Sequence, residues 1–225
     1  MGGGLSARPL YTQGDDKMKS ISFIVFFLSL FLFENVSAQN NFSFSLGGGY
    51  VSSALDKTKL PYWENGYLIN FSSEYKLTEN IALFFSSSYQ RHIFNEHLVS
   101  FAVPAVVGYR YSISGENSSV FDFSVGGKLY MSSSRIKPYL GVGTGLLLIN
   151  QGKVEITNWM EGNPNKSTSL FANTDKNYSL AEMNFGVGLE IELINNLHLG
   201  LEGKLISCLD GPSYFPLIAS IKFGL

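Results

Sequence analysis

The stretch MNFGVGLEIELINNLHLGLEGKLI, from Met183 to Ile206, alternates bulky apolar residues with small or charged ones. One face of an extended chain carries Met183, Phe185, Val187, Leu189, Ile191 and Leu193. The opposite face carries Asn184, Gly186, Gly188, Glu190 and Glu192. A period of two residues predicts β-strands, and the asparagines at 195–196 predict a tight turn because Asn tolerates positive φ. The return strand sends His198, Glu202 and Lys204 to the polar face, so the stretch predicts an antiparallel hairpin with one apolar surface.

The same alternation recurs along the chain, and no segment shows a convincing helical period. Nine strand candidates lie at 41–52, 66–77, 81–91, 98–111, 120–131, 136–150, 183–194, 197–206 and 214–225. Strands of about ten residues are long enough to cross a bilayer at a tilt. Single-chain barrels have an even number of strands, so we expect eight crossings, with 98–111 or 120–131 partly irregular or at the rim. Pro104 weakens 98–111 as a central strand, and ten crossings are the alternative.

The composition argues against several classes of protein. Charged residues make up 15% of the 225 residues, below the roughly 25% that is usual in soluble domains. The net charge is −2, so the chain lacks the excess of basic residues that is typical of nucleic-acid-binding proteins. The single cysteine, Cys208, excludes an internal disulfide, and the three histidines show no zinc spacing with a third ligand. We therefore expect no cofactor, no metal and no nucleic-acid partner.

Residues 18–38 read as a secretory signal peptide. Lys19 supplies a positive start, an apolar run follows from Ile21 to Phe33, and Val36-Ser37-Ala38 fits the small-residue rule for cleavage after Ala38. That run is shorter than the roughly 20 residues of a membrane-spanning helix, which argues against the alternative of an N-terminal anchor. We expect residues 1–17 to be an upstream extension outside the fold and residues 39–225 to form one barrel domain.

The two faces of the strands allow two kinds of barrel, a soluble one with an apolar interior, such as a lipocalin, or one with an apolar exterior. A soluble surface carries roughly 25–35% charged residues, whereas the polar face here is mostly Ser, Gly, Asn and Ala. An eight-stranded interior is narrow, so these small residues suit it better than the bulky set. Connections at 76–80 and 195–196 are short, while those at 52–65 and 151–178 are long, as in outer-membrane barrels. We therefore expect the apolar face to meet lipid.

In that orientation the charged residues of the polar faces line the lumen and neutralise one another, because an unpaired buried charge is costly. The predicted lumen network is Glu74, Arg110, Asp122, Lys128, Glu182, Glu190, Glu192, Glu202, Lys204 and Lys222. Two tyrosine belts are also expected, with Tyr50, Tyr67 and Tyr89 near the external strand ends and Tyr75, Tyr109 and Tyr111 near the periplasmic ends. The alternative for these tyrosines is their general preference for strands.

The pattern resembles the small outer-membrane β-barrel proteins of the OmpA/OmpX-like family. The residues that carry the resemblance are FSFSLGGGY (42–50), EYKLTENIALFFSSSY (74–89), KPYLGVGTG (137–145), FGVGLEIELINNLHLGLEGKL (185–205) and SIKFGL (220–225). The resemblance implies an all-β, closed, antiparallel up-and-down barrel in the outer membrane. Its implied partners are lipopolysaccharide in the outer leaflet, phospholipid in the inner leaflet and the barrel-insertion machinery. Many such barrels end in an aromatic residue, whereas this chain ends in Leu225, two residues after Phe223.

Three functions are compatible with such a barrel. We expect a non-enzymatic scaffold whose external loops bind a partner, with the segment 151–178, which carries Trp159 and Phe171, as a candidate contact surface. A narrow pore is the first alternative. A lipid-A-modifying enzyme is the second, and it would use His92 and His97 with Ser88 and Glu96. The glycines of GVGTG (141–145) lack the spacing of a nucleotide-binding loop and are expected to make room in the lumen.

Overall fold

The computed structural model describes residues 41–52, 60–103, 108–162, 165–171, 174–209 and 213–225. The predicted signal peptide at 18–38, the extension at 1–17 and Pro104 lie outside these residues. Eleven strands are described: β1 (Phe42–Ser52), β2 (Trp63–Lys76), β3 (Ile81–Phe94), β4 (Tyr109–Gly115), β5 (Ser118–Tyr130), β6 (Ile136–Asn150), β7 (Val154–Met160), β8 (Lys166–Leu170), β9 (Asn177–Ile194), β10 (Leu197–Cys208) and β11 (Phe215–Gly224). A short helix, α1, spans Glu96–Ser100.

Eight of these strands close into an antiparallel barrel, in the order β1, β2, β3, β5, β6, β9, β10 and β11. The seam joins β1 to β11, from Ser43↔Gly224 to Ser52↔Phe215. The prediction of eight crossings in a closed antiparallel barrel is therefore confirmed. The segment 120–131, which was a candidate for irregularity, forms the regular barrel strand β5 and pairs continuously with β3 and β6.

The two ends of the barrel differ in the length of their connections. At one end, here called the short-turn end, 77–80, 131–135 and 195–196 join neighbouring strands, and Asn196 adopts the positive φ of 67° that its turn requires. The opposite end, the long-loop end, carries the longer connections that lead through α1, β4, β7 and β8. Both Asn41 and Leu225 lie at the short-turn end, because β1 starts there and β11 finishes there.

The outside of the barrel is an apolar belt. Large hydrophobic side chains such as Leu46, Ile69, Val142, Phe185 and Leu201 are about half exposed or more. On most strands, an outward-facing polar residue follows the apolar belt residues toward the long-loop end. These polar residues are Ser52, Asn65, Arg91, Ser119, Asn150, Ser179 and Ser207. The belt thus has a defined upper edge. Among the described residues, no helix combines the length and the apolar character needed to cross a membrane.

A three-stranded sheet of order β4-β7-β8 lies beyond that edge, and it is here called the external sheet. The pairing of β5 with β6 continues into β4 and β7 without a change of register, from Tyr130↔Tyr139 to Tyr109↔Met160. Between the two ladders, the Glu116 amide donates to the Lys153 carbonyl over 2.8 Å. One long hairpin therefore forms part of the barrel wall and also most of the external sheet.

Of the two segments expected to be irregular or at the rim, 98–111 is the one whose described part adds no strand to the barrel. Residues Glu96–Ser100 form α1, whose N-terminus is capped by the Asn95 side chain accepting from the His97 amide. The alternation resumes in β4, but β4 pairs with β7 outside the barrel. Tyr109 and Tyr111 consequently lie on the external sheet and not at the short-turn end, which corrects their assignment to a periplasmic belt. Tyr50, Tyr67 and Tyr89 do lie in the half of the barrel nearer the long loops, and Tyr75 lies near the short turns.

Candidate functional site

A network of buried charges crosses the lumen near the short-turn end. Lys222 Nζ lies 2.6 Å from Glu74 Oε2 and 2.9 Å from Glu190 Oε2. Lys128 Nζ also donates to the Glu74 carboxylate and lies 3.9 Å from Glu190 Oε1. These four side chains come from β2, β5, β9 and β11, and all are at most 8% exposed. Two carboxylates thus face two ammonium groups, which satisfies the requirement that buried charges be paired.

Two tyrosines complete this network. The Tyr130 hydroxyl lies 2.7 Å from Glu74 Oε2 and 2.9 Å from Glu190 Oε1, so its single proton bridges two carboxylates, and it accepts from Lys222 over 3.0 Å. The Tyr139 ring lies 4.3 Å from Lys128 Nζ in a cation–π contact. Tyr139 has room because Gly188 opposite it lacks a side chain, and an added Cβ would meet the Tyr139 ring.

A second polar layer lies deeper in the lumen. Ser88 Oγ donates to Asp122 Oδ2 over 3.3 Å and accepts from Gln90 Nε2 over 3.3 Å. Asn184 Nδ2 donates to Glu182 Oε1 over 3.1 Å. Asp122, Glu182 and Lys204 are each at least 97% buried, and Glu202 is partly buried against Gly186. The alternation therefore places all four predicted residues in the lumen, and no ion pair within 4.0 Å among the described residues joins them to the Glu74 network.

Glu192 lies at the short-turn rim, where it faces Lys137 and His198. Lys137 Nζ lies 3.3 Å from Glu192 Oε2, and His198 Nε2 lies 3.8 Å from the same oxygen. Sequence reasoning missed Lys137, Tyr130 and Tyr139 as lumen residues. The signal was present, because Tyr130 is in phase with Lys128 and Lys137 is in phase with Tyr139 and Gly141.

Arg110 does not belong to the lumen network, which corrects its prediction. It lies on β4 in the external sheet, and its Nη2 is 3.0 Å from Glu161 Oε1, with both side chains more than 60% exposed. The physical reason is that a solvated sheet strand alternates in the same way as a barrel strand. An exposed pair of this kind contributes little to stability.

The long-loop end of the lumen is closed by apolar side chains, here called the roof. Its buried members are Val51, Leu60, Trp63, Leu68, Val99, Val120, Leu147, Ile149, Val154, Ile206, Cys208, Tyr214 and Ile218. Trp63 has no exposed surface, and its Nε1 donates to the Glu116 carbonyl over 2.8 Å. Polar residues therefore occupy the lumen below the roof, and apolar residues seal it above.

The histidines and the serine of the enzyme hypothesis occupy different environments. His92 is fully buried beside Tyr214, and its Nδ1 lies 3.1 Å from the Glu64 carbonyl oxygen. Ser88 lies in the lumen layer described above, whereas His97 is exposed on α1. Within the described part of the chain, no hydrogen bond joins Ser88, His92 and His97 to one another, and no group of three or more His, Cys, Asp or Glu side chains is arranged to hold a metal ion.

Comparison with known proteins gives matches only among solved structures. No family model matches the chain, and no curated protein matches it. The attachment invasion locus protein Ail of Yersinia pestis is 14% identical, with a TM-score of 0.48, over 84% of this chain and 100% of that one. Neisserial surface protein A is 13% identical, with a TM-score of 0.45, over 84% and 100% of the two chains. The N-terminal β-barrel domain of Pseudomonas aeruginosa OprF is 15% identical, with a TM-score of 0.42, over 83% and 98%.

Proposed function

We propose that this chain is an outer-membrane protein, inserted with its short-turn end in the periplasm. The apolar belt supports this, because a soluble monomer rarely exposes so large a continuous apolar surface. Closure supports it as well, since every strand of the barrel has a partner on both sides and leaves no open edge in lipid. Lipopolysaccharide and phospholipid then cover the belt, and export proceeds through a signal peptide cleaved after Ala38.

The function we propose is a non-enzymatic scaffold that holds the external sheet above the membrane for binding to a protein partner. The observation that carries this proposal is the unbroken register from the barrel hairpin β5–β6 into β4 and β7. A segment that is paired through the same ladder as the barrel wall has a fixed position relative to it. Rigid support of this kind favours recognition, because less conformational entropy is lost on binding.

The external sheet offers a surface suited to a protein partner. On one of its faces, Ile113 and Ile156 pack against the roof, whereas Tyr109, Tyr111 and Met160 farther along the same face are 40–48% exposed. The other face carries polar side chains, and Lys166 Nζ lies 5.0 Å from the Trp159 ring centroid. Exposed aromatic residues and Met are enriched at the centres of protein interfaces. The exposed Tyr109–Tyr111–Met160 patch is therefore the contact surface that we propose within and next to the segment 151–178.

The two alternatives receive less support. A pore requires an open lumen, whereas the Glu74 network crosses the lumen near one end and the roof fills it at the other. An enzyme requires a nucleophile and a base within hydrogen-bonding reach, and the described residues place Ser88 in the lumen layer and His97 outside on α1. Steady current through planar bilayers would support the pore. Altered lipid A in cells that make the protein would support the enzyme.

The test compares bacteria that make the protein with bacteria that make the triple variant Tyr109→Ser, Tyr111→Ser and Met160→Ser. Attachment is measured on layers of cultured cells, on extracellular-matrix protein and on bacteria of the same strain. We expect the intact protein to raise attachment to at least one of these surfaces and the triple variant to lose most of that gain. The roof and the barrel stay unchanged in the variant, because none of the three residues belongs to them.

The matched control is the pair Thr157→Ser and Thr168→Ser, which changes the opposite face, where the two hydroxyl groups lie 3.0 Å apart. Folding of each protein is checked by its heat-dependent migration on a gel. Equal attachment by the intact protein and a folded triple variant would show that the Tyr109–Tyr111–Met160 patch is not the contact surface. No attachment gain on any of the three surfaces would count against the scaffold function itself.

A further inference from the structure

The barrel has a cavity at its short-turn mouth that the scaffold function does not use. The cavity has a volume of about 190 Å³ and is lined by residues that include Ser43, Lys76, Lys137, His198 and Lys222. A larger cavity of about 470 Å³ adjoins it, since both are bordered by Lys76, Lys137 and Glu190. The two cavities are therefore neighbours at this end of the barrel.

Two buried polar atoms at the smaller cavity have no hydrogen-bond partner. Ser43 Oγ belongs to a residue that is 5% exposed, and His198 Nδ1 belongs to one that is 8% exposed. Leaving a buried polar atom unpaired costs about 1–3 kcal/mol. Both side chains can donate a proton, Ser43 from its hydroxyl and His198 in the tautomer that is protonated on Nδ1. Two unused donors thus border one small cavity.

The charges that line the smaller cavity leave one cation in excess. Lys222 is paired with Glu190, and Lys137 is paired with Glu192. Lys76 is half-buried, and no carboxylate among the described residues lies within 4.0 Å of its ammonium group. The larger cavity is also bordered by Glu79, which lies in an exposed turn. A small anion would supply the negative charge that Lys76 lacks.

We propose that the short-turn mouth binds a small oxyanion of the size of phosphate, held by Lys76, Ser43 and His198. Lys76 supplies the charge, and the Ser43 hydroxyl and the His198 Nδ1–H supply directed hydrogen bonds to anionic oxygens, which are stronger than bonds between neutral groups. A volume of about 190 Å³ is below the roughly 300 Å³ at which pockets for drug-sized ligands begin. The site therefore fits a single anionic group better than a larger molecule.

Free phosphate in the periplasm and the phosphate of an inner-leaflet lipid headgroup share this chemistry. The experiment uses the whole barrel, folded in phosphate-free maltoside micelles and labelled with ¹⁵N in its histidines. Inorganic phosphate is added at constant pH in one arm, and short-chain phosphatidylglycerol in the other. His92, which lies beside Tyr214 of the roof, and His97 on α1 serve as internal references, because both lie toward the long-loop end.

We expect inorganic phosphate to shift the His198 imidazole signals in a saturable manner and to leave those of His92 and His97 unchanged. Lys76→Met keeps the aliphatic stem and removes the charge, so we expect it to weaken binding by about tenfold or more, as for a lost charge-assisted hydrogen bond. Lys166→Met on the external sheet is the matched control and should bind as the unchanged protein does. A response to the lipid alone identifies the headgroup as the source of the anion.

Ser43→Ala is a second variant that removes one donor without a change in charge, and we expect it to weaken binding as well. Each variant is tested only after its heat-dependent gel migration shows a folded barrel. The proposal would be overturned if neither inorganic phosphate nor phosphatidylglycerol shifted the His198 signals. Equal binding by Lys76→Met and the unchanged protein would also overturn it, because the excess cation is the central element of the site.

Discussion

At the scale of single residues, stability in the lumen depends on complete sets of partners. Glu74 is 3% exposed and receives hydrogen bonds from Lys128, Lys222 and Tyr130. Glu190 shares Lys222 and Tyr130 with it. Removing one partner from such a set costs more free energy of folding than an intact pair contributes, because the remaining charges stay buried without a partner.

The first prediction concerns Glu74→Gln. The substitution keeps the shape of the side chain and leaves two buried ammonium groups facing one carboxylate, so we expect unfolding to become easier by about 3–5 kcal/mol. The measurement is urea unfolding in lipid vesicles, followed by gel migration. Glu79→Gln, in the exposed turn at 77–80, is the control and should change stability by less than about 0.5 kcal/mol. Indistinguishable unfolding midpoints for the two variants would contradict a stabilising network.

Which residues face the lumen could largely be predicted from the sequence, because the side-chain period of a strand is two. Glu74, Lys128 and Lys222 follow from the phase of their apolar neighbours. The partner of each charge could not be predicted, since pairing depends on which strands lie opposite each other across the barrel. Tyr130 shows a further limit: a tyrosine in the lumen phase is polar enough to join carboxylates, although the same residue type also forms belts.

At the scale of elements, the hairpin from Tyr109 to Met160 explains why 98–111 was a strand candidate although its described part adds no strand to the barrel. Its pairing register is unchanged across the upper edge of the apolar belt, because sheet pairing requires the same backbone geometry in water and in lipid. The sequence therefore marks where this strand pairs but not where the membrane ends. The helix α1 has only five residues, too few for a helical period to be recognised.

The second prediction concerns the roof. The sequence did not reveal it because most of its barrel-strand residues occupy the lumen phase. The chain has two tryptophans, Trp63 without exposed surface and Trp159 partly exposed on β7. Trp159→Phe leaves Trp63 as the single tryptophan. We expect acrylamide to quench the fluorescence of Trp63 only weakly, because neighbouring side chains exclude the quencher. Trp63→Phe leaves only Trp159, which should be quenched several-fold more strongly. Equal quenching of the two variants would mean that the roof is open to solvent.

At the scale of the whole molecule, the position of the barrel in the bilayer rests on the apolar belt. The alternating pattern and the shortage of charge made this orientation predictable, because a soluble barrel of the same topology needs a charged exterior. The closed topology also followed, since strands in lipid have no water to satisfy open edges. The external sheet and the roof did not follow, because both depend on contacts between distant loops.

The third prediction tests the orientation with arginine placed at two heights on one strand. Val142, in the middle of β6 and 57% exposed, faces outward at the centre of the belt. Val142→Arg should lower stability in lipid vesicles by about 2–4 kcal/mol, the cost of arginine near the bilayer midplane. The measurement is the free energy of unfolding in guanidinium, read from the fraction of heat-modifiable protein.

Asn150→Arg is the matched control, because Asn150 faces the same way at the polar upper edge of the belt. Its cost should be about 0–1 kcal/mol, as for arginine near an interface. Both variants place arginine on the same face of β6, and they differ in depth. Equal costs for both variants would argue that β6 faces solvent along its whole length.

The seam between β1 and β11 sets an order of events in biogenesis. Phe44 and Phe223 stack across it with ring centroids 5.7 Å apart, and the ladder beside them runs from Ser43↔Gly224 to Ser52↔Phe215. The strand made first must therefore wait for the strand made last before either has its full complement of backbone partners. Without residues 215–224, β1 and β10 would each keep one unpaired edge, so the barrel cannot close before its last strand is present.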